Sequence, residues 1–388
     1  MGGVCFLKKS EQDSVAFLQD LLRIDSTNPP GDESILRDKI RQRALLLNLE
    51  TEVQSVNKDR ANLIVKLKGN GNKPSLIFCG HMDTVGVGRS RWTFDPFSGE
   101  ISEGKMYGRG ASDMKSGLAA MLEAMGRIRK NSRGHEFGDL ILVATVGEEV
   151  DCLGAKHAVK TDVFDRAGAM VIAEPSNREV VITHKGALWL KITTYGKTSH
   201  ASMPEYGINA VDGMSKIMAL LNENFFSLDK KNKLLGRPTI NIGTIRGGIQ
   251  TNVVPDQCEM TVDIRTLPEM DHQQILSHLE RKIDELGIRY KIDVLHDLAP
   301  LDTKPNNDFV KKAVSVNEQI TGRKSSPQGI NFYTDGSIIC QHKAFPIVIY
   351  GPGERELAHQ PNEFVEVDKY LQSIDFYVRL TEAYFQDV

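Results

Sequence analysis

The sequence predicts an α/β protein in two parts: a larger domain with a mixed sheet flanked by helices, and a smaller inserted α+β domain of β-α-β-β-α-β order. Three observations predict this. Short apolar runs alternate with helical patterns up to about residue 174, the pattern of a sheet covered by helices. After Pro175 the order becomes strand, helix, two strands, helix, strand, the split βαβ arrangement. Helix and strand of the earlier kind then resume near residue 307, in a chain of 388 residues that is long for one domain.

Each element has a local reason. VAFLQDLLRI (15–24) has helical spacing, and STNPPGDES stops it. A second helix starts at Asp32 to Ser34 and continues through ILRDKIRQRALLLNL. NLIVKLKG and SLIFCG read as strands. KSGLAAMLEAMGRIRK (115–130) is a helix just after Asp113. LILVATV and AMVIA are short apolar runs that read as buried strands.

In the inserted part, GALWLKITTYG (186–196) is a strand and GINAVDGMSKIMALLNENF (207–225) a helix. TINIGTIRGG and CEMTVDIRT are strands, HQQILSHLERKIDELG (272–287) a helix, and IRYKIDVL the final strand. The expected inserted domain is 184–296, and the larger domain is formed from 1–183 and 297–388. NDFVKKAVSVNEQI, FPIVIY and a last helix at about 367–384 complete the larger domain.

Composition excludes several classes. Net charge is −3, with 40% hydrophobic and 26% charged residues, so no basic surplus points to nucleic acid. No apolar run approaches the roughly 20 residues of a membrane span. VCFL before Lys8 and Lys9 is too short for a signal-peptide core. Phe6 stands where a myristoylation signal has Ser or Thr. Cys5, Cys79, Cys152, Cys258 and Cys340 are far apart and odd in number, which fits thiols in a reducing cytoplasm. Cys79 reads as a small buried hydrophobe.

Six residues of metal-ligand or acid/base type carry the chemistry: His81, Asp113, Glu148, Glu149, Glu174 and His359. His81 follows SLIFCG, the Glu pair follows LILVATVG, and Glu174 follows AMVIA. Side chains just past the carboxyl ends of strands line the crevice of an α/β domain. In HMD, the Asp83 carboxylate can receive the second ring N–H of His81 and fix its tautomer; alone, His-x-Asp is more often a surface pair. Asp113 in GRGASDMKSG also reads as a helix N-cap. Adjacent Glu148 and Glu149 point in different directions, so one can ligate metal while the other moves a proton. Glu174 alone reads as a turn residue before Pro175, and His359 alone as an ordinary loop histidine. Imidazole and carboxylate without thiolate suit zinc, manganese or cobalt. This donor set is enough for two ions sharing one carboxylate.

Together and in order, GHMDTV, GRGASDMKSG, VGEEV, AEPS and AHQPNE closely resemble the motifs of the zinc-dependent M20 peptidase/deacylase family, over almost the whole chain. The resemblance implies two Zn²⁺ ions, replaceable by Co²⁺ or Mn²⁺, bridged by Asp113. It implies His81 and Glu174 on one ion, Glu149 and His359 on the other, Asp83 as orienter of His81 and Glu148 as general base and acid. It also implies a cis bond between Asp113 and Met114.

GKTSHASMPEYGINA resembles the family's lid signature. That resemblance implies that His200 polarises the scissile carbonyl, from the partner subunit of a homodimer formed through the inserted lid. As a residue alone, His200 reads as a loop His capping the helix after Gly207. In relatives, the positions of Asn252 in NVVPD and Arg265 in DIR contact substrate, and Arg suits a carboxylate; Arg265 also reads as a strand-end surface charge. NFYTDGS offers Tyr333 and Thr334, and GPGER offers Arg355.

The pattern is similar to the succinyl-diaminopimelate desuccinylase/acetylornithine deacetylase branch. It implies hydrolysis of a small N-acyl amino acid, first N-succinyl-L,L-2,6-diaminopimelate in lysine biosynthesis, then acetylornithine, then a dipeptide or N-acyl amino acid. His184-Lys185-Gly186 departs from the Arg pair before Gly that typical desuccinylases carry. A metal-retaining binding module is the non-enzymatic alternative; it has no need of Glu148 and His200 beside an intact ligand set.

Overall fold

The structure is a computed structural model and describes residues 7–69, 71, 73–131, 137–222 and 231–386. The chain forms two compact units: Met1–Ile182 with Thr303–Gln328 and Thr334–Val388, and Thr183–Asp302 with Gly329–Tyr333.

The first unit is built on a mixed sheet. Its strands run in the order Glu50–Ser55, Ala61–Leu67, Leu140–Thr145, Ser75–His81, Ala167–Ile172, Ile347–Ile349. The last four are mutually parallel, whereas the first two pair antiparallel. Ser75–His81 and Leu140–Thr145 are buried at every position. Burial on both faces is why these sequences are apolar without alternation. Glu50–Ser55 was not expected from the sequence. It is an edge strand of mixed exposure, with no apolar period to reveal it, and the helix before it is Ser34–Leu46.

Helix Lys115–Asn131 lies on strands Ser75–His81 and Leu140–Thr145 and packs with helices Lys9–Leu22 and Val367–Gln386. Its Leu118, Met121, Leu122 and Met125 are fully buried, each contributing about 1.5–3 kcal/mol. The approach is close at Gly117, where a Cβ would stand 2.2 Å from the Ala173 carbonyl oxygen, so only glycine fits. A separate three-stranded sheet pairs Phe364–Glu366 with Lys105–Tyr107, Phe364 opposite Tyr107.

The second unit is a four-stranded antiparallel sheet in the order Thr239–Gly247, Gln257–Thr266, Gly186–Tyr195, Tyr290–Leu298. Alternate residues of Gln257–Thr266 are buried, as one covered face requires. Helices Ala210–Asn222 and His272–Asp284 supply Met214, Ile217, Leu221, Ile275, Leu279 and Ile283 to its core. The β-α-β-β-α-β order is therefore present; the expected helix end at 223–225 lies outside the described residues. Thr183 and His184 pair with Asp302 and Leu301 where the chain enters and leaves this unit.

No described helix is long and apolar enough to cross a membrane. Cys79, Cys152 and Cys258 are buried thiols; Cys5 lies outside the described residues.

Candidate active site

Parallel strands of the first unit deliver the site. Their register pairs His81 with Thr145 and Cys79 with Ile172. His81 ends its strand, the Glu pair follows Thr145 across Val146 and Gly147, and Glu174 follows Ile172 across Ala173. All emerge at the carboxyl edge of one sheet. Gly147, at φ +74, makes the turn that opens the short helix Glu148–Asp151, a backbone state that favours glycine.

The distances divide the cluster in two. His81 Nε2 lies 3.1 Å from Asp113 Oδ1 and 3.7 Å from Glu174 Oε1. His359 Nε2 lies 3.0 Å from Glu149 Oε2 and 3.5 Å from Asp113 Oδ2. Asp113 therefore turns one oxygen to each imidazole. Ligand atoms of His81, Glu148 and Glu174 lie within 4.8 Å of one another, as do those of His81, Asp113 and Glu149. His81, Glu148 and Glu174 are buried, while the His359 side chain is half exposed. His359 sits at φ +65, and the Asp113–Met114 bond is cis.

The electrostatics are those of a cation site. Burial holds the carboxyls of Glu148, Glu149 and Glu174 above their usual range; for Glu148 the next cause is Glu174, and for the other two it is Asp113. Burial pushes Asp113 the same way, but hydrogen bonds from His359 and His81 hold it below the carboxylate range. His81 is raised well above 6.5 although burial alone lowers it, because Asp113 and the nearby glutamates surround it. Asp113 and Glu149 raise His359 to about 10. Glu148 Oε1 is buried with no hydrogen-bond partner. Packed carboxylates, two imidazoles drawn toward protonation and an orphaned buried oxygen all call for positive charge. Nitrogen and oxygen donors without sulfur fit a divalent ion of the zinc, cobalt or manganese kind.

Asp83 departs from the expected contact. His81 Nδ1 lies 2.9 Å from the Asp83 carbonyl oxygen and 3.7 Å from carboxylate Oδ1. The carboxylate is occupied elsewhere: Oδ1 accepts from the Glu148 N–H at 3.1 Å, and Oδ2 from the Glu149 N–H at 3.2 Å and Asn28 Nδ2 at 2.8 Å. Its side chain thus fixes the backbone of the glutamate pair, while its carbonyl meets the ring.

Sequence reasoning passed over Asn28, Asp335, Arg109 and Glu363. Asp335 is buried and accepts from Thr145 Oγ1 at 2.6 Å. Glu363 is buried against Arg109, Nη1 to Oε2 2.5 Å. Asp335 and Glu363 stand inside NFYTDGS and AHQPNE, so those motifs held the signal; Asn28 has no local one.

The remaining predicted residues fall in both units. Thr334 is buried in the first unit, its Oγ1 accepting from the Gly336 N–H at 3.0 Å. Arg355, also in the first unit, pairs with Glu179 at 2.6 Å. His200, Asn252 and Arg265 belong to the second unit. His200 is exposed, with Nδ1 2.7 Å from Ser202 Oγ. Its segment joins that of Asn252, whose carbonyl accepts from the Ala201 N–H at 3.1 Å. Asn209, not His200, caps the following helix, through the Val211 N–H at 2.9 Å. Arg265 directs Nε and Nη2 onto Asp263 Oδ2 at 3.1 and 3.0 Å and lies 5.5 Å from the Tyr333 ring centroid. His184 is buried, and Lys185 Nζ donates to the Arg237 carbonyl at 2.7 Å.

The chain has relatives in sequence and in structure. A "probable succinyl-diaminopimelate desuccinylase" of Staphylococcus epidermidis is 30% identical, over 97% of this chain and 99% of the relative. An acetylornithine deacetylase of Proteus mirabilis is 32% identical, over 83% of this chain and 82% of the relative. Aminopeptidase PepT of Bacillus cereus shares the fold at TM-score 0.78 and 23% identity, over 96% of this chain and 98% of that one. A Bacillus subtilis protein described as a dinuclear metal binding peptidase superposes at TM-score 0.77 and 15% identity, over 98% and 99%. The sequence model for peptidase family M20/M25/M40 matches residues 77–383. With that match spanning the candidate site from His81 to His359, this chain belongs to the M20 family of hydrolases.

Proposed function

We propose that this protein is a dinuclear metal-dependent amide hydrolase that removes an acyl group from a small N-acyl amino acid. The observation that carries the reading is Asp113, whose two oxygens face His81 and His359 separately. His81, Glu174 and Asp113 would hold one ion, and Glu149, His359 and Asp113 the other, as zinc with cobalt or manganese in substitution. When bound, such a pair polarises the amide carbonyl and lowers the pKa of water.

The chain's own groups do the rest. Glu148, buried with an unpaired oxygen and a carboxyl held high, takes a proton from the attacking water and passes it to the leaving amine. Asp83 keeps the Glu148 backbone in place. His200, on the inserted unit, donates to the developing oxyanion, supplied by the partner of a homodimer formed through that lid; sedimentation of the intact protein tests the dimer. Asn252, Arg265, Thr334 and Arg355 are the candidate substrate contacts. The setting is cytoplasmic.

The first substrate is N-succinyl-L,L-2,6-diaminopimelate, supported by the Staphylococcus epidermidis relative. A second reading, acetylornithine deacetylation, has a specific observation in its favour. The guanidinium groups of Arg265 and Arg355 are already paired with Asp263 and Glu179, which leaves the succinyl carboxylate without a ready fork. The deciding experiment is kcat/KM for both substrates on the zinc-loaded protein. A site that binds the succinyl charge rejects the acetyl substrate, because a buried partner is left unpaired. Preference for acetylornithine replaces the first substrate with the second. No hydrolysis across a broad N-acyl panel overturns the enzyme in favour of a binding module.

A further inference from the structure

We propose that Glu363, locked by Arg109, is the positioning residue of the metal centre: one buried carboxylate sets the spacing between Asp113 and His359. The inference rests on the dinuclear reading of that centre. Glu363 and Arg109 are 254 residues apart in sequence and both buried, with Nη1 2.5 Å from Oε2. Pairing of Phe364–Glu366 with Lys105–Tyr107 brings their segments together.

The contacts of Glu363 converge on the loop that carries Asp113. Oε1 accepts from the backbone N–H of Asp113 at 2.9 Å and of Ser112 at 2.7 Å. Oε2 accepts from the Gly110 N–H at 3.2 Å. Backbone amides wrapped round one carboxyl group that an arginine also faces form a nest of the kind that holds anions. The loop geometry thus follows the carboxylate, and Asp113 follows the loop.

Arg109 carries the same constraint to the other ligands. Its Nη2 donates to the carbonyl of Gly86, just past the His81–Asp83 segment, at 3.2 Å, and to that of His359 at 3.4 Å. Its Nη1 reaches the Gln360 carbonyl at 3.4 Å. His359 lies in an exposed loop at φ +65, so its position needs such a tether. Supporting groups of this kind set metal affinity by about 10–100-fold.

The test is a Co²⁺ titration of the metal-free full chain, followed by its visible d–d absorption. It compares wild type with Glu363→Gln and with the double variant Arg109→Gln/Glu363→Gln, which leaves no uncompensated buried charge. Thermal midpoints of the metal-free forms report folding. Wild type takes up two equivalents. Glu363→Gln binds at least one about 10–100-fold more weakly, with a changed absorption spectrum and a fall in kcat larger than any rise in KM at saturating cobalt. If Glu363→Gln fails to fold, the double variant decides, and the same loss is expected of it. Wild-type affinity and spectrum in a folded variant overturn the inference, as does a lowered thermal midpoint with cobalt binding unchanged. Wild type that binds no cobalt overturns the dinuclear reading itself, an outcome separate from the behaviour of the variants.

Discussion

Asp113 meets His359 through Oδ2, at 3.5 Å, and leaves Oδ1 to His81 at 3.1 Å. Glu174 faces His81 at 3.7 Å, and Glu149 faces His359 at 3.0 Å.

That asymmetry predicts different metal stoichiometries. On the dinuclear reading, Asp113→Ala would remove a ligand from both ions and Glu174→Gln from one. Metal analysis after gel filtration should find zinc depleted at both positions in the first variant and at one in the second. Hydrolysis by Asp113→Ala should fall by at least about 10³-fold, the equivalent of several kcal/mol of lost charge stabilisation. Full two-metal occupancy in Asp113→Ala would remove it as the bridge.

Glu148 is buried beside the candidate ligands, yet its Oε1 has no hydrogen-bond partner among the described residues. Glu148→Gln keeps the shape and loses the proton acceptor. Its kcat should drop by about 10²–10⁴-fold with metal content unchanged. Near-normal turnover in a metal-replete variant would assign the base elsewhere.

Gly117 touches the end of the strand that presents Glu174. A methyl group there would stand 2.2 Å from the Ala173 carbonyl oxygen. Gly117→Ala should cost about 1–3 kcal/mol, despite alanine being the better helix former. Because the displaced backbone adjoins Glu174, zinc affinity should fall as well. A more stable variant with unchanged affinity would show that the contact relaxes freely.

His184 is buried where the chain enters the second unit, and burial lowers its pKa from 6.5 to about 4. The folded state therefore resists a proton that the unfolded state accepts. Stability associated with this residue is fully present above pH 6.5 and is lost as pH falls toward 4, by at most about 3 kcal/mol. Urea unfolding of wild type and His184→Gln should converge over that interval, with the variant less dependent on pH. Parallel pH profiles would place the acid sensitivity in other groups.

The main sheet and its carboxyl edge were legible because buried parallel strands need continuous apolar sequence, and LILVAT and SLIFCG have it. His81 and Glu174 end such runs, so their chemistry stood out against apolar neighbours. The strand Glu50–Ser55 was not legible: it lies at an edge and keeps no alternation. Gly329–Tyr333 join the second unit although the surrounding sequence belongs to the first, a placement no local pattern encodes. The hydrogen bonds that the Glu148 and Glu149 amides donate to the Asp83 carboxylate were equally hidden, since backbone donors leave no mark on residue type. Arg109 and Glu363 stand 254 positions apart, and nothing local links them before the chain folds back.

The strand Ile347–Ile349 lies beside Ala167–Ile172 in the sheet, yet ribosomes make it long after its neighbour. Until then the nascent chain presents Ala167–Ile172 as an open, apolar sheet edge, the kind of surface that invites intermolecular pairing. His359 and Glu363 emerge later still, so the candidate site stays incomplete until they do. A stop anywhere before residue 347 would therefore leave both an unsealed sheet edge and a candidate site without its last residues.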